Sequence, residues 1–247
     1  MPALLAVRNL TIRFGGITAL NDVTFDVAEG HITGLIGPNG AGKTTCFNCI
    51  TRLYEPTSGE VLFKGDDLLR LRPQQIAGKR IARTFQNLAL FERMNVLDNV
   101  LVGYHTRFPG GFGDWDAEPG AVDEAMDVLA KLDVDGLAKR PVHGLPFGIR
   151  KRVELARAIM AKPELLLLDE PAAGISHDEV TALAATIRRV ASDFNTTILM
   201  VEHHMQLVMS VSDHIVVLAS GKKLADGPPA AIQANPAVVE AYLGTVS

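Results

Sequence analysis

Gly37-Pro38-Asn39-Gly40-Ala41-Gly42-Lys43-Thr44-Thr45 fits the pattern G-x-x-x-x-G-K-[ST], with the apolar run of residues 32–36 before it and a helix-compatible segment after it. Residues of these types at this spacing could wrap a chain of phosphates. Such a ligand is too dense in negative charge for side chains to surround closely. A glycine-rich turn exposes successive backbone N–H groups instead, with Gly40 and Gly42 relieving the steric limit on φ. The following helix would aim its positive dipole end at the phosphates. Lys43 would then reach the β- and γ-phosphates, and the Thr44 hydroxyl could ligate Mg²⁺. The plainer alternative is a strand–helix turn with a chance lysine, and the flanking strand and helix weigh against it.

Leu165-Leu166-Leu167-Leu168-Asp169-Glu170 is the second strong pattern. Phosphoryl transfer to water needs a metal on the β- and γ-oxygens and a group that orients the attacking water. Adjacent carboxylates at the end of a buried strand can divide these tasks. Asp169, with Thr44, would hold Mg²⁺ through its water shell, and Glu170 would polarise the water. An Asp-Glu pair alone is a weak signal, but here it ends an apolar strand downstream of a phosphate loop.

The elements that must position these groups follow from periodicity. Residues 5–14 and 23–27 alternate as strands, and residues 60–64 read as another before the Gly65-Asp66 turn. Helical spacing takes over at residues 96–104, 121–132 and 149–161. Residues 109–120, with Phe112 and Trp115, are too rich in Pro and Gly for regular structure and read as a surface loop. The apolar run 165–169 predicts a strand covered on both faces. A helix near 176–194, strands at 197–201, 214–219 and 222–225, and two short helices ending at Tyr242-Leu243 complete the chain. The expected fold class is α/β: a phosphate-binding core with an antiparallel β portion at its start and a helical insert.

Composition is ordinary for a globular protein, with 47% hydrophobic and 21% charged residues and a net charge of −4. That balance offers no basic field for nucleic acid, and no aromatic array interleaves with Arg or Lys. The longest apolar runs are too short to cross a bilayer, and the start lacks a signal-peptide pattern, so a cytoplasmic chain is expected. Cys46 and Cys49, the two cysteines, stand three apart behind the phosphate loop. No second Cys/His pair with zinc spacing accompanies them, so two small buried thiols are expected.

Taken together, the phosphate loop and the Asp169-Glu170 strand resemble the ATP-binding subunit of ABC transporters, and the resemblance runs over nearly the whole chain. It implies a RecA-like P-loop core of ABC type in one domain, residues 1–247, with the core at about 1–86 and 162–247 and the helical part at about 87–161. Residues 83–87 resemble the family's glutamine loop, with Gln86 contacting Mg²⁺ and sensing the γ-phosphate. Val201-Glu202-His203 resembles the switch region, His203 bonding the γ-phosphate. Phe14 matches the aromatic that stacks on adenine, although a core residue ending a strand competes with that reading. Leu145-Pro146-Phe147-Gly148-Ile149 occupies the signature position. The site residues implied are thus Phe14, Gly37, Pro38, Asn39, Gly40, Ala41, Gly42, Lys43, Thr44, Thr45, Gln86, Gly148, Asp169, Glu170 and His203.

Two departures bear on partner contact. The usual signature has serine and paired glycines, where this chain has Pro146 and Phe147, with Ile149 in place of the closing glutamine. Ser176 stands where the loop 173–176, which resembles the family's dimer loop, usually has aspartate. Binding at the signature face would lean on the Gly148 N–H and the helix that follows. The Leu-Pro-aromatic-Gly signature, residues 170–174 and 202–209, and the ending at 235–244 resemble the importer ATPases for branched-chain amino acids. That implies two membrane permease subunits, a second identical or similar ATPase in a head-to-tail dimer, and indirectly an external solute-binding protein. It also implies a place on the inner face of the cell membrane. Residues 90–100 are a candidate permease-coupling surface, with ordinary helix packing weighed equally. Rival readings are an ABC ATPase for urea, amides or lipopolysaccharide export, a non-transport ABC ATPase acting on nucleic acid or ribosomes, and a small-molecule P-loop kinase.

Overall fold

The computed structural model describes residues 3–84, 88–107, 120–175 and 177–243. It divides into two compact units, residues 1–76 with 197–247, and residues 77–196.

The first unit holds an antiparallel sheet in the order Ile17–Ala28, Ala3–Phe14, Ser58–Phe63, Asp66–Asp67. Beside it run Lys222–Gly227, His214–Ala219, Ile32–Ile36 and Thr197–Val201, the last three mutually parallel. Ile32–Ile36 and Thr197–Val201 are buried at every position, as strands covered on both faces should be. The second strand is longer than the alternation at 23–27 implies. The two-residue Gly15-Gly16 turn pairs Phe14 with Ile17 and carries the hairpin outward past several register shifts, so backbone pairing extends the strand where side-chain periodicity is weak.

The second unit pairs Ile81–Arg83 in parallel with Leu165–Asp169 and carries the helices Val96–Tyr104, Ala121–Lys131, Phe147–Met160 and His177–Asp193. Ile81–Arg83 is too short to show a period and forms because the buried run beside it supplies hydrogen-bond partners. Asn99, fully buried, accepts from the Phe91 N–H at 2.8 Å and donates to the carbonyls of Phe91 at 3.0 Å and Asn95 at 2.9 Å. That side chain pins the segment before Val96–Tyr104. Within the segment proposed for permease coupling, Val96 and Val100 pack inward while Phe91, Glu92 and Arg93 are exposed. Helix packing therefore accounts for Val96 and Val100 and leaves Phe91, Glu92 and Arg93 at the surface.

Candidate functional site: the phosphate loop and the carboxylate strand

In the first unit the phosphate loop leaves the buried strand Ile32–Ile36, whose Leu35 pairs with Val201 of the parallel strand beside it. Glu202 and His203 therefore emerge at the same sheet edge as Gly37. Gly37, at φ 154°, is wedged so tightly that a Cβ would lie 2.1 Å from the Leu218 carbonyl oxygen. Gly42, at φ 100°, would place a Cβ 2.7 Å from the Ala19 oxygen and 2.6 Å from Leu20 Cδ2. Only glycine meets both the φ and the space requirement at these positions. The Ser220-Gly221 turn braces the loop, with the Gly221 N–H donating to Ala41 O at 3.2 Å.

Gly42 caps the helix Lys43–Ile50 with no side-chain hydrogen bond, and no acidic residue lies in its first turn. Its leading N–H groups and positive dipole end are thus left for an anion. Lys43 is buried and curls over the loop, its Nζ donating to Gly37 O at 2.8 Å and Pro38 O at 3.0 Å. Asn39, Gly40 and Thr44 are exposed. A triphosphate fits this cradle, because the ammonium, the uncapped helix and the glycine-only backbone all favour dense negative charge. Cys46 and Cys49 are buried free thiols on the back of the same helix. Burial pushes Cys49 up to about 11 and Cys46 higher still, so both stay protonated at neutral pH.

His203 is 53% exposed at its side chain, with Nδ1 3.8 Å from Glu202 Oε2. Glu202 was not singled out from the sequence as a working residue. It is fully buried, and its Oε2 accepts the backbone N–H of His203 at 2.8 Å and of His204 at 2.9 Å. It fixes the turn that presents His203. Phe14 is 44% exposed, which removes the packed-core alternative for it. Its ring meets Tyr54 in a T-shaped contact, centroids 5.2 Å apart. Near the C-terminus, burial pushes the Tyr242 phenol up to about 12, with the Gly37 backbone beside it acting in the opposite direction.

In the second unit Asp169 ends the buried strand Leu165–Asp169, and its Oδ2 pairs with Arg83 Nη2 at 2.6 Å, both side chains buried. Arg83, at the start of the stretch that resembles the glutamine loop, carries no local sequence signal of this pairing. The pair fixes the carboxylate's direction at the strand end. Breaking a buried pair from one side leaves an uncompensated charge, so Arg83→Met is expected to destabilise the chain by about 3–5 kcal/mol. Differential scanning calorimetry checks this as a fall in melting midpoint of roughly 10 °C; an unchanged midpoint contradicts it.

Glu170 follows at φ 47°, in the left-handed region that few non-glycine residues adopt. The signature helix begins at Phe147, two residues earlier than its periodicity implied, with Pro146 at its N-cap and no side-chain cap. Gly148 therefore sits in the first helical turn, where its N–H has no intrahelical acceptor. Phe147 packs on Gly174: a Cβ there would lie 3.2 Å from the Phe147 ring. The altered signature and the loop 173–175 thus touch directly. A cavity of about 190 Å³ beside them is lined by the aliphatic Leu155, Leu168 and Leu183 and also by Lys151, Glu154 and Glu179. Gln86, Ser176, Phe112 and Trp115 lie outside the described residues, as does Gly244.

The family described as ABC transporter matches residues 20–173. The chain belongs to the ABC transporter family. A further family, described as branched-chain amino acid ATP-binding cassette transporter, matches residues 222–246. The chain is similar to the high-affinity branched-chain amino acid transport ATP-binding protein BraF of Pseudomonas aeruginosa, 44% identical over 98% of each chain. It is likewise 42% identical to LivG of Escherichia coli, again over 98% of each. Among solved structures, this ABC transporter chain resembles the ADP conformation of MJ1267, an ATP-binding cassette of an ABC transporter, with TM-score 0.85 and 30% identity over 99% of this chain and 100% of that one. The expected α/β P-loop cassette of ABC type is the fold observed.

Proposed function

We propose that this chain binds and hydrolyses ATP as the energising subunit of an importer for leucine, isoleucine and valine, acting through separate permease subunits. The observation that carries the cargo is the near full-length similarity to BraF and LivG, joined by the match over residues 222–246. The reading of the chemistry rests on the cradle around Lys43 and on the paired carboxylates. Lys43 and the loop N–H groups grip the β- and γ-phosphates, Phe14 stacks on adenine, Glu170 polarises the attacking water, and His203 holds the γ-phosphate. Gln86 is proposed to sense that phosphate and contact the metal.

The described residues contain no cluster of three His, Cys, Asp or Glu that could cage a metal. Mg²⁺ dehydrates reluctantly and takes one or two protein ligands plus phosphates and water. Thr44 and Asp169 are the groups proposed to serve it, and the ion would neutralise charge developing on the β- and γ-oxygens.

A second ATP-binding subunit, identical or similar, is proposed to complete each site head to tail. The Gly148 N–H and the uncapped start of its helix would meet the partner's γ-phosphate. No helix among the described residues is long and apolar enough to cross a membrane. The attachment to the inner face of the membrane is proposed to run through the permease, with the exposed Phe91, Glu92 and Arg93 as contact. Affinity capture of the tagged chain from detergent-solubilised membranes tests the partner assignment. Two permease subunits are the expected catch, and recovery of ribosomes or nucleic acid without them contradicts it.

A further inference from the structure

We propose that Tyr54 is a positioning residue for nucleotide binding: it holds the Phe14 ring edge-on so that a face of that ring is already turned outward for the base. The inference rests on the reading that Phe14 stacks on adenine. Phe14 and Tyr54 are both large aromatics, and both are exposed, at 44% and 39%. Two such rings left at the surface, in contact at 5.2 Å and 75°, gain less from water exclusion than a buried pair. What they do gain is a fixed mutual geometry. In either sense of a T-shaped contact, at least one face of the Phe14 ring stays open.

The backbone explains why Phe14 needs a brace. It is the last residue before the Gly15-Gly16 turn, and across that turn it pairs only with Ile17, itself 72% exposed. Backbone pairing at that hairpin tip does not by itself set the rotamer of the ring. Tyr54 is anchored through the backbone of its own segment. It follows the phosphate-loop helix Lys43–Ile50, whose end is tied by Arg52 N–H to Cys49 O at 3.1 Å and Tyr54 N–H to Asn48 O at 3.0 Å. On its other side Thr57 N–H donates to Thr11 O at 2.8 Å, and Arg13 N–H donates to Thr57 Oγ1 at 3.1 Å. One rigid helix therefore presents the phosphate cradle at its first turn and the brace for the base-stacking ring just beyond its last. A ring held in place beforehand loses less rotamer freedom when the base arrives.

The test is calorimetric titration of the full chain with MgADP and, separately, with tripolyphosphate, which lacks a base. Tyr54→Ala is expected to weaken MgADP by about three- to tenfold and to leave tripolyphosphate within about twofold. Tyr54→Phe should behave as wild type, because the ring and not the hydroxyl makes the contact. Added to Phe14→Ala, Tyr54→Ala should cost nothing further, since the braced group is gone. Equal weakening of both ligands would reveal a merely structural role and overturn the proposal. So would a silent Tyr54→Ala beside a weakened Phe14→Ala, or full additivity of the two. If Phe14→Ala itself leaves MgADP affinity unchanged, the adenine reading falls, and this proposal with it.

Discussion

Lys43→Ala is expected to lower ATP turnover by about 10²- to 10³-fold and to weaken nucleotide binding with it. The side chain is buried and its ammonium is held over the loop by the Gly37 and Pro38 carbonyls. Removing it leaves those two carbonyl oxygens facing an incoming triphosphate with no cation between them. The variant loses an attraction and gains a repulsion in the same place. Gly37 and Gly42 keep their contacts with Leu218, Ala19 and Leu20, so the loop backbone should persist. The melting midpoint serves as the control. A steady-state phosphate-release assay on purified chain, with the wild type alongside, measures the effect. Turnover within a few-fold of wild type would remove Lys43 from the account.

Glu170→Gln is expected to keep ATP binding while turnover falls by about 10²- to 10⁴-fold, the range for loss of a general base. Glutamine matches glutamate in size and can adopt the same strand-end position, but it cannot draw a proton from water. Because ATP then persists where a partner subunit has closed over it, a dimer should accumulate. Gel filtration with and without MgATP reads this directly. The expected outcome is an ATP-dependent shift to the size of a pair in the variant, with the wild type returning to the free subunit as ATP is consumed. Sustained wild-type hydrolysis by Glu170→Gln would mean another group activates the water.

Much of this was readable from residue types and spacing because the chemistry constrains the backbone as well as the side chains. Glycines at 37, 40 and 42 are needed where φ is positive, and Gly37 and Gly42 where a Cβ would also collide. Their spacing therefore marks the loop before any fold is known. Asp169 was visible because a wholly apolar strand ending in a charge must deliver that charge somewhere specific. Helix Val96–Tyr104 and strand Thr197–Val201 fall where periodicity put them.

What escaped depends on long-range partners. Arg83 lies in a three-residue strand with no period of its own, and only its pairing with Asp169 shows that it steers the carboxylate. Glu202 was overshadowed by the more reactive His203, because its burial comes from neighbouring strands and not from local pattern. The exposure of Phe14 could not be separated from burial, since alternation in the strand Ala3–Phe14 continues into a hairpin tip that leaves the sheet's cover. The early start of the signature helix was hidden by Pro146, which reads as loop yet suits the residue just before a helix.

The most direct test of the whole account is transport itself. The chain would be reconstituted in liposomes with the proposed partner ATPase, permease subunits and external binding protein. Uptake of radiolabelled leucine would then be followed with MgATP supplied to this chain's side. The account predicts accumulation that needs ATP, disappears with Glu170→Gln, and is competed by isoleucine and valine but not by urea. Leucine uptake that is indifferent to ATP or to Glu170→Gln would contradict it.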